Sequence, residues 1–109
     1  MNRLATHVWV GAYLTRLRLV DIPVFVVAKG DADAGAVLVK LNTLDGNATL
    51  FHRSFDLMTG DRKWDVLTNG VEVDVDASLT RQRKMDPDLW VIEVEDRHGQ
   101  HLLDDPSLG

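Results

Sequence analysis

Short β-branched and aromatic runs, each bounded by turn-forming residues, occupy the middle of the chain. The first three are residues 23–28, 36–42 and 48–55. Runs of this length between glycine, proline, asparagine and aspartate are typical of β-strands. The Asp45-Gly46 pair supplies the positive φ angles of a hairpin turn, so the second and third runs are predicted to pair antiparallel. The first two are expected to be strands joined by a tight connection.

Two further strands and two helices complete the pattern. Residues 62–67 are predicted as a fourth strand and residues 89–95 as the last. In residues 6–21 apolar side chains recur as on one face of an amphipathic helix, with Thr6 as its N-cap. A second helix is predicted from about residue 74 to residue 85, because acids open it and basic residues close it. A capping arrangement at residues 69–72 favours an earlier start, whereas the alternation in VEVDVD favours a strand.

This order of elements predicts the fold class. Helix, three or four strands, helix and strand do not give the strict alternation of a doubly wound nucleotide fold. We expect an α+β fold with a mostly antiparallel sheet of four or five strands and two helices packed on one face. The length of 109 residues suits one compact domain. That domain is expected to span residues 1–103, with residues 104–109 as a flexible C-terminal tail.

Charge and composition narrow the classes of partner. The net charge is −5, from 17 acidic and 12 basic residues, and cysteine is absent. The negative field repels phosphate backbones, so no nucleic-acid partner is expected. Without cysteine there are no disulfides, thiol nucleophiles or thiolate metal ligands. No apolar run reaches the ~20 residues of a membrane span, and Arg16 and Arg18 interrupt the first run, so we expect a cytoplasmic protein that does not bind membranes.

Three segments carry a resemblance to a known family: HVWVGAYLTRLRL, GDADAGAVLVKLNTLDG and DPDLWVIEVEDRHG. Together they resemble a small bacterial family, domain of unknown function 1491, which is found mainly in alphaproteobacteria. The similarity extends roughly from Leu4 to Leu103. It implies a bacterial protein built as a stand-alone domain. It implies no established activity, substrate, cofactor or catalytic residue.

Asp31 and Asp33 lie in KGDADAG, directly after the first strand-like run. Alternate residues of an extended segment project to the same side, and carboxylates suit Ca²⁺, Mg²⁺ or Mn²⁺. The calcium-loop pattern fails, since Gly35 stands where an oxygen ligand is needed and Asn42 where the bidentate glutamate is needed. The interpretation we favour is a turn whose aspartates accept hydrogen bonds from nearby backbone N–H groups.

Glu93, Glu95, His98 and His101 form the second candidate metal site. The glutamates project to one side of the last strand, and the histidines follow on the adjoining turn. Two carboxylates and two imidazoles suffice for Zn²⁺ or Mn²⁺ if the turn folds back. The simpler interpretation is a charged strand face whose glutamates lie opposite lysine or arginine on a neighbouring strand.

The sequence specifies no catalytic residue and no cofactor, since it has no nucleophile elbow, phosphate loop or zinc-finger spacing. We therefore favour a non-enzymatic protein-interaction module, with a homo-oligomer or another protein as partner, because an open sheet leaves edges that must be protected or paired. The alternative is a small metal-dependent hydrolase or nuclease that uses the Glu/His cluster. A domain that binds a small ligand between helix and sheet is a third hypothesis. At least two of Trp9, Trp64 and Trp90 are expected in the core.

Overall fold

The structure, a computed structural model, describes residues 4–108. That part of the chain contains two α-helices, five strands and one short 3-10 helix. In chain order they are α1 Thr6–Leu19, β1 Val24–Ala28, β2 Val37–Asn42, β3 Asn47–Phe55, β4 Arg62–Val71, α2 Glu72–Met85, β5 Trp90–Glu95 and the 3-10 helix Pro106–Leu108. The predicted order of helices and strands is confirmed.

The five strands form one sheet in the order β1-β5-β2-β3-β4. β2 and β3 pair antiparallel around this turn, as predicted. The positive φ angles are those of Leu44 (62°) and Gly46 (90°), so the expectation of a positive φ at Asp45 is wrong. β4 joins β3 antiparallel and β1 joins β5 antiparallel, while β2 and β5 are parallel. The α+β class with a mostly antiparallel sheet is therefore confirmed.

β1 and β2 are consecutive in the chain but do not pair, because β5 lies between them. The loop that joins them crosses the start of β5, where the Trp90 N–H donates to the Ala36 carbonyl at 2.8 Å and the Asp31 N–H to the Asp88 carbonyl at 2.9 Å. β5 carries apolar side chains on both faces, and a strand of that kind is most stable inside a sheet.

The two helices lie on opposite faces of the sheet, so the expectation that both pack on one face is wrong. Val39 of β2 packs in the same cluster as Tyr13 of α1, whereas the adjacent Leu38 packs with Val75 of α2. Successive side chains of a strand point to opposite faces. We call these the α1 face and the α2 face. Every residue from Leu38 to Asn42 is buried, which is typical of a strand covered on both sides.

α1 begins where predicted, but the Thr6 side chain does not cap it. Ala5 occupies the N-cap position, and no side chain caps the helix. The N–H groups of Thr6 and His7 instead donate to the carbonyls of Asp33 and Ala32 at 3.1 and 2.9 Å. The loop after β1 thus satisfies the donors that a helix leaves unpaired at its start. The prediction of Thr6 as N-cap is wrong because this tertiary contact replaces the local one.

α2 begins at Glu72, directly after β4 ends at Val71. The VEVDVD segment is therefore helical from its second residue, which agrees with the earlier start. Glu72 and Asp74 lie in the first turn, and Arg83 and Lys84 lie in the last. This charge order was the basis of the helix prediction, and it matches the helix dipole.

Residues 104–109, predicted as a flexible tail, are described as far as Leu108. Leu108 is buried against the α1 face, and its carbonyl accepts a hydrogen bond from Trp9 Nε1 at 2.8 Å. Trp9 and Trp90 are both core residues, as expected for at least two of the three tryptophans. Between residues 4 and 108, no helix is long and apolar enough to cross a membrane.

Candidate functional site

The KGDADAG loop forms the turn that its residue types predict. The Asp31 carboxylate accepts a hydrogen bond from the Ala34 N–H at 2.8 Å. Asp33 takes part through its main-chain carbonyl, which accepts from the N–H of Thr6. The turn interpretation is confirmed for Asp31, and the loop connects β1, α1 and the start of β5.

Gly30 and Gly35 allow this loop to touch the chain before β5. A Cβ atom at Gly30 would lie 2.1 Å from the Asp88 carbonyl oxygen, and one at Gly35 would lie 2.5 Å from it. Real Cβ atoms do not approach an oxygen so closely, so both positions require glycine. The loop is therefore fixed by close packing as well as by hydrogen bonds.

Glu93 lies on the α2 face, directly opposite Lys40 in the register of β5 and β2. Lys40 is only 3% exposed. Its Nζ lies 2.7 Å from Glu72, 2.7 Å from Asp76 and 3.3 Å from Glu93. Burial alone would lower the pKa of Lys40, but the hydrogen bonds to Asp76 and Glu72 and the charge of Glu93 raise it overall. The predicted pairing of a glutamate with a lysine on a neighbouring strand is confirmed for Glu93.

His101 lies on the α1 face, in contact with the core. Its ring centroid is 4.7 Å from that of Phe51, and its carbonyl accepts from the Tyr13 hydroxyl at 2.6 Å. Its Nδ1 accepts from the Leu103 N–H at 2.9 Å. Burial lowers the pKa of His101, partly offset by Asp104. This histidine is therefore neutral, with its proton on Nε2.

The structure does not bring the four candidate metal ligands together. Glu93 is on the α2 face and His101 on the α1 face, so the sheet separates them. Glu95 lies opposite Asn42, and His98 is exposed on the turn after β5. Within residues 4–108 no group of three histidine, aspartate or glutamate side chains is placed to hold a metal ion.

β1 forms one edge of the sheet and is apolar along its length. Phe25, Val26 and Val27 are 51%, 42% and 59% exposed, although each is a large hydrophobic residue. Leu19 and Val20, which end α1 just before this strand, are also exposed. An exposed apolar edge strand is a template for pairing with another chain.

The opposite edge of the sheet, β4, is different in character. Its sequence RKWDVLTNGV carries charges at Arg62, Lys63 and Asp65. Charged residues on an edge strand discourage pairing with another chain, because their desolvation is costly. β4 also exposes the apolar residues Val66, Leu67 and Val71, so the two edges differ in these charges rather than in the presence of exposed apolar side chains.

A cleft of about 710 Å³ opens at the end of the sheet where β2 begins. β3 pairs with β4 as far as Phe55 but with β2 only as far as His52. The β3–β4 hairpin therefore projects beyond the other strands. The cleft lies between this hairpin and the segment formed by the start of α1 and the end of the KGDADAG loop.

Arg53 lines the cleft on the hairpin side, together with Arg62. Its guanidinium carbon lies 5.3 Å from the centroid of Trp9 and 5.1 Å from that of Trp64. Desolvation lowers the pKa of Arg53, and the positive charge of Arg62 lowers it further.

Sequence reasoning missed three of these features. Lys40 interrupts the apolar run VLVKLN, and a charge inside a buried strand is a usable signal for a buried ion pair. Arg53 lies in an alternating strand like many others, so nothing local marks it. The exposure of Phe25 depends on β1 being an edge strand, which follows only from the strand order.

Fold and site together define a small α+β protein whose five-stranded sheet lies between two helices. The chain belongs to the family described as Protein of unknown function (DUF1491), whose model matches residues 4–104. The resemblance carried by the three sequence segments is thereby confirmed.

Solved structures from this family share the fold over nearly the whole chain. The crystal structure of a DUF1491 family protein from Caulobacter crescentus CB15 is 42% identical, with a TM-score of 0.86, over 95% of this chain and 98% of that one. An NMR structure of a DUF1491 family protein from the same organism is 41% identical, with a TM-score of 0.82, over 97% of each. A solution structure of an A. tumefaciens protein is 28% identical, with a TM-score of 0.72, over 86% of each. No curated protein matches the chain.

Proposed function

We propose that the protein is a non-enzymatic interaction module that binds a second copy of itself through β1. The observation that carries the proposal is the exposed apolar run Phe25, Val26 and Val27 on an edge strand. An edge strand presents a row of backbone N–H and C=O groups that another strand can satisfy. Pairing would bury the apolar side chains and extend the sheet across two copies.

Charges at the two ends of β1 favour a second copy as the partner. Asp21 precedes the strand and Lys29 follows it, and both are exposed and equally far from Phe25 along the chain. An antiparallel pair of β1 strands centred on Phe25 brings Asp21 of each copy towards Lys29 of the other. Opposite charges at these positions attract, whereas a parallel arrangement would place like charges together.

The proposal assigns no catalytic residue. A metal-dependent hydrolase built from Glu93 and His101 lacks support, because the sheet lies between them. We also propose that the protein works in the cytoplasm, because a chain without cysteine is compatible with a reducing compartment.

Light scattering on size-exclusion fractions tests the proposal. The wild type is expected to show twice the chain mass, and Phe25→Lys is expected to show the chain mass, because a buried charge at the strand pairing is costly. Val66→Lys is the matched control, since Val66 is also 51% exposed but lies on β4. A wild type that is monomeric at every concentration contradicts the proposal, as does a Phe25→Lys variant that associates like the wild type.

A further inference from the structure

We infer that a groove between β1 and the second half of α2 receives the Phe25 side chain of a second copy of the chain. The inference rests on the proposed pairing through β1, and it adds a contact that lies outside the paired strands. The groove has a volume of about 370 Å³. Val27 and Ala28 line it from β1, and Leu79, Thr80 and Lys84 line it from α2. We call it the β1–α2 groove.

The strand pairing alone is a small contact. β1 has five residues, Val24–Ala28, and is therefore about 17 Å long. A stable protein–protein interface buries about 800 Å² of each partner. Two strands of this length that meet only along their edges bury far less. A stable dimer through β1 therefore requires side-chain contacts beside the strands.

Phe25 projects from the α2 face of β1, because it pairs with Glu93, whose carboxylate contacts Lys40 on that face. In the proposed antiparallel pair, Phe25 of one copy lies opposite Phe25 of the other, and residues opposite each other project to the same face. One diagonal neighbour of Phe25 from the second copy is then Val27, at about 7 to 8 Å, within reach of an aromatic side chain. Since Val27 lines the β1–α2 groove, the pairing brings Phe25 of the second copy to the edge of this groove.

The lining of the groove suits an aromatic side chain. Val91 forms part of the lining and is already buried, whereas Val27 is 59% exposed and Leu79 is half-buried. Filling the groove therefore buries apolar surface of Val27 and Leu79 together with that of Phe25, which is 51% exposed. Such burial is favourable by roughly 25 cal/mol per Å², and aromatic side chains dominate the energetics of many interfaces. Because the pair is symmetric, the same contact forms in both copies.

Charges at one end of the groove favour a second copy as the occupant. Lys84 is exposed there, and Arg83 donates to the Lys29 carbonyl at 3.5 Å, which places the end of α2 beside the end of β1. In the antiparallel pair, Asp21 of the second copy approaches this end and meets the positive charges of Lys29 and Lys84. Opposite charges across an interface attract and fix its register. The carboxylate and the phenyl ring that suit the groove thus belong to one short segment of this chain.

The dissociation constant of the dimer, measured by light scattering over a dilution series, tests the inference. Thr80 is exposed on α2, so Thr80→Glu places a carboxylate in the groove and leaves β1 unchanged. We expect this variant to raise the dissociation constant about tenfold, because a charge buried beside a phenyl ring is costly. Met85→Glu is the matched control. It adds the same charge to α2, but Met85 is 83% exposed and does not line the groove, so its dimer should dissociate like that of the wild type.

Phe25→Leu, which keeps an apolar residue at the strand pairing, provides a second measurement. If Phe25 of the second copy lies in the groove, Thr80→Glu should weaken the Phe25→Leu dimer by less than it weakens the wild-type dimer, because residues in contact are not additive. Equal weakening in both backgrounds overturns the inference, as does a Thr80→Glu dimer that dissociates like that of Met85→Glu. Either result leaves pairing through β1 in place, whereas a wild type that is monomeric at every concentration overturns both proposals.

Discussion

At the scale of single residues, Lys40 is the group on which most charge interactions depend. It is buried, and its ammonium joins Glu93 of β5 to Glu72 and Asp76 of α2. Lys40→Met is expected to lower the free energy of unfolding by about 3 kcal/mol, because removal of one partner leaves the carboxylates uncompensated. Urea unfolding measures this change.

Asp76→Asn is the control for Lys40→Met. Asp76 is half exposed, and its replacement leaves Glu72 and Glu93 paired with Lys40. We expect a loss below about 1 kcal/mol, as for a surface ion pair. If the two variants lose equal stability, the loss in Lys40→Met does not come from leaving the carboxylates uncompensated.

His101 makes stability depend on pH. Because burial lowers its pKa, the folded state binds fewer protons than the unfolded state, in which histidine has a pKa of about 6.5. The free energy of unfolding is therefore expected to be constant above that pH and to fall as the pH drops through it. Protonation would also break the hydrogen bond from the Leu103 N–H to Nδ1.

Chemical unfolding between pH 7.5 and pH 5.5 measures the contribution of His101. His101→Asn keeps an acceptor for the Leu103 N–H without a titrating ring, so its stability should change less over this interval. His98→Asn, on the exposed turn, should keep the pH dependence of the wild type. An unchanged dependence in His101→Asn would show that another group is responsible.

Glu93 shows how much a sequence pattern predicts about a single side chain. Alternation along β5 correctly placed Glu93 on a face where a neighbouring strand supplies a lysine. The same pattern gave no information on Glu72 and Asp76, because their contact with Lys40 depends on where α2 packs. Local periodicity determines the face of a strand but not the element that covers it.

At the scale of elements, the loop between β1 and β2 is expected to be intolerant of side chains. Gly30→Ala and Gly35→Ala are each expected to cost at least about 2 kcal/mol, since the new Cβ would overlap the Asp88 carbonyl. Gly11→Ala is the control: it lies within α1 with no atom near its Cβ position, and it should stabilise by about 1 kcal/mol. Thermal unfolding of the three variants distinguishes close packing from a general effect of alanine.

The pairing of the strands could be predicted from the sequence for some strands and not for others. The β2–β3 hairpin followed from Asp45-Gly46, because that turn needs only local backbone geometry. The position of β5 between β1 and β2 did not follow from any local pattern, since the parallel pairing of β2 with β5 joins segments that are distant in the chain. The helices were predicted on one face of the sheet, and only the structure, in which consecutive residues of β2 are buried, shows that both faces are covered.

At the scale of the whole molecule, the fold class and family could be predicted from the sequence, whereas the exposure of β1 at a sheet edge could not. Composition and element order give a single α+β domain. Which strand is exposed at an edge depends on the order β1-β5-β2-β3-β4. Only with that order does the apolar run of β1 become the exposed edge through which we propose that two copies pair.

The measurement that tests self-pairing through β1 most directly is a charge exchange between two variants. Asp21→Lys and Lys29→Asp each place like charges together at both ends of the proposed pair, so each alone should associate more weakly than the wild type in light scattering at low salt. Mixed in equal amounts, they should recover the dimer, because each copy then meets the opposite charge on the other. A mixture that stays as monomeric as its components would contradict pairing through β1.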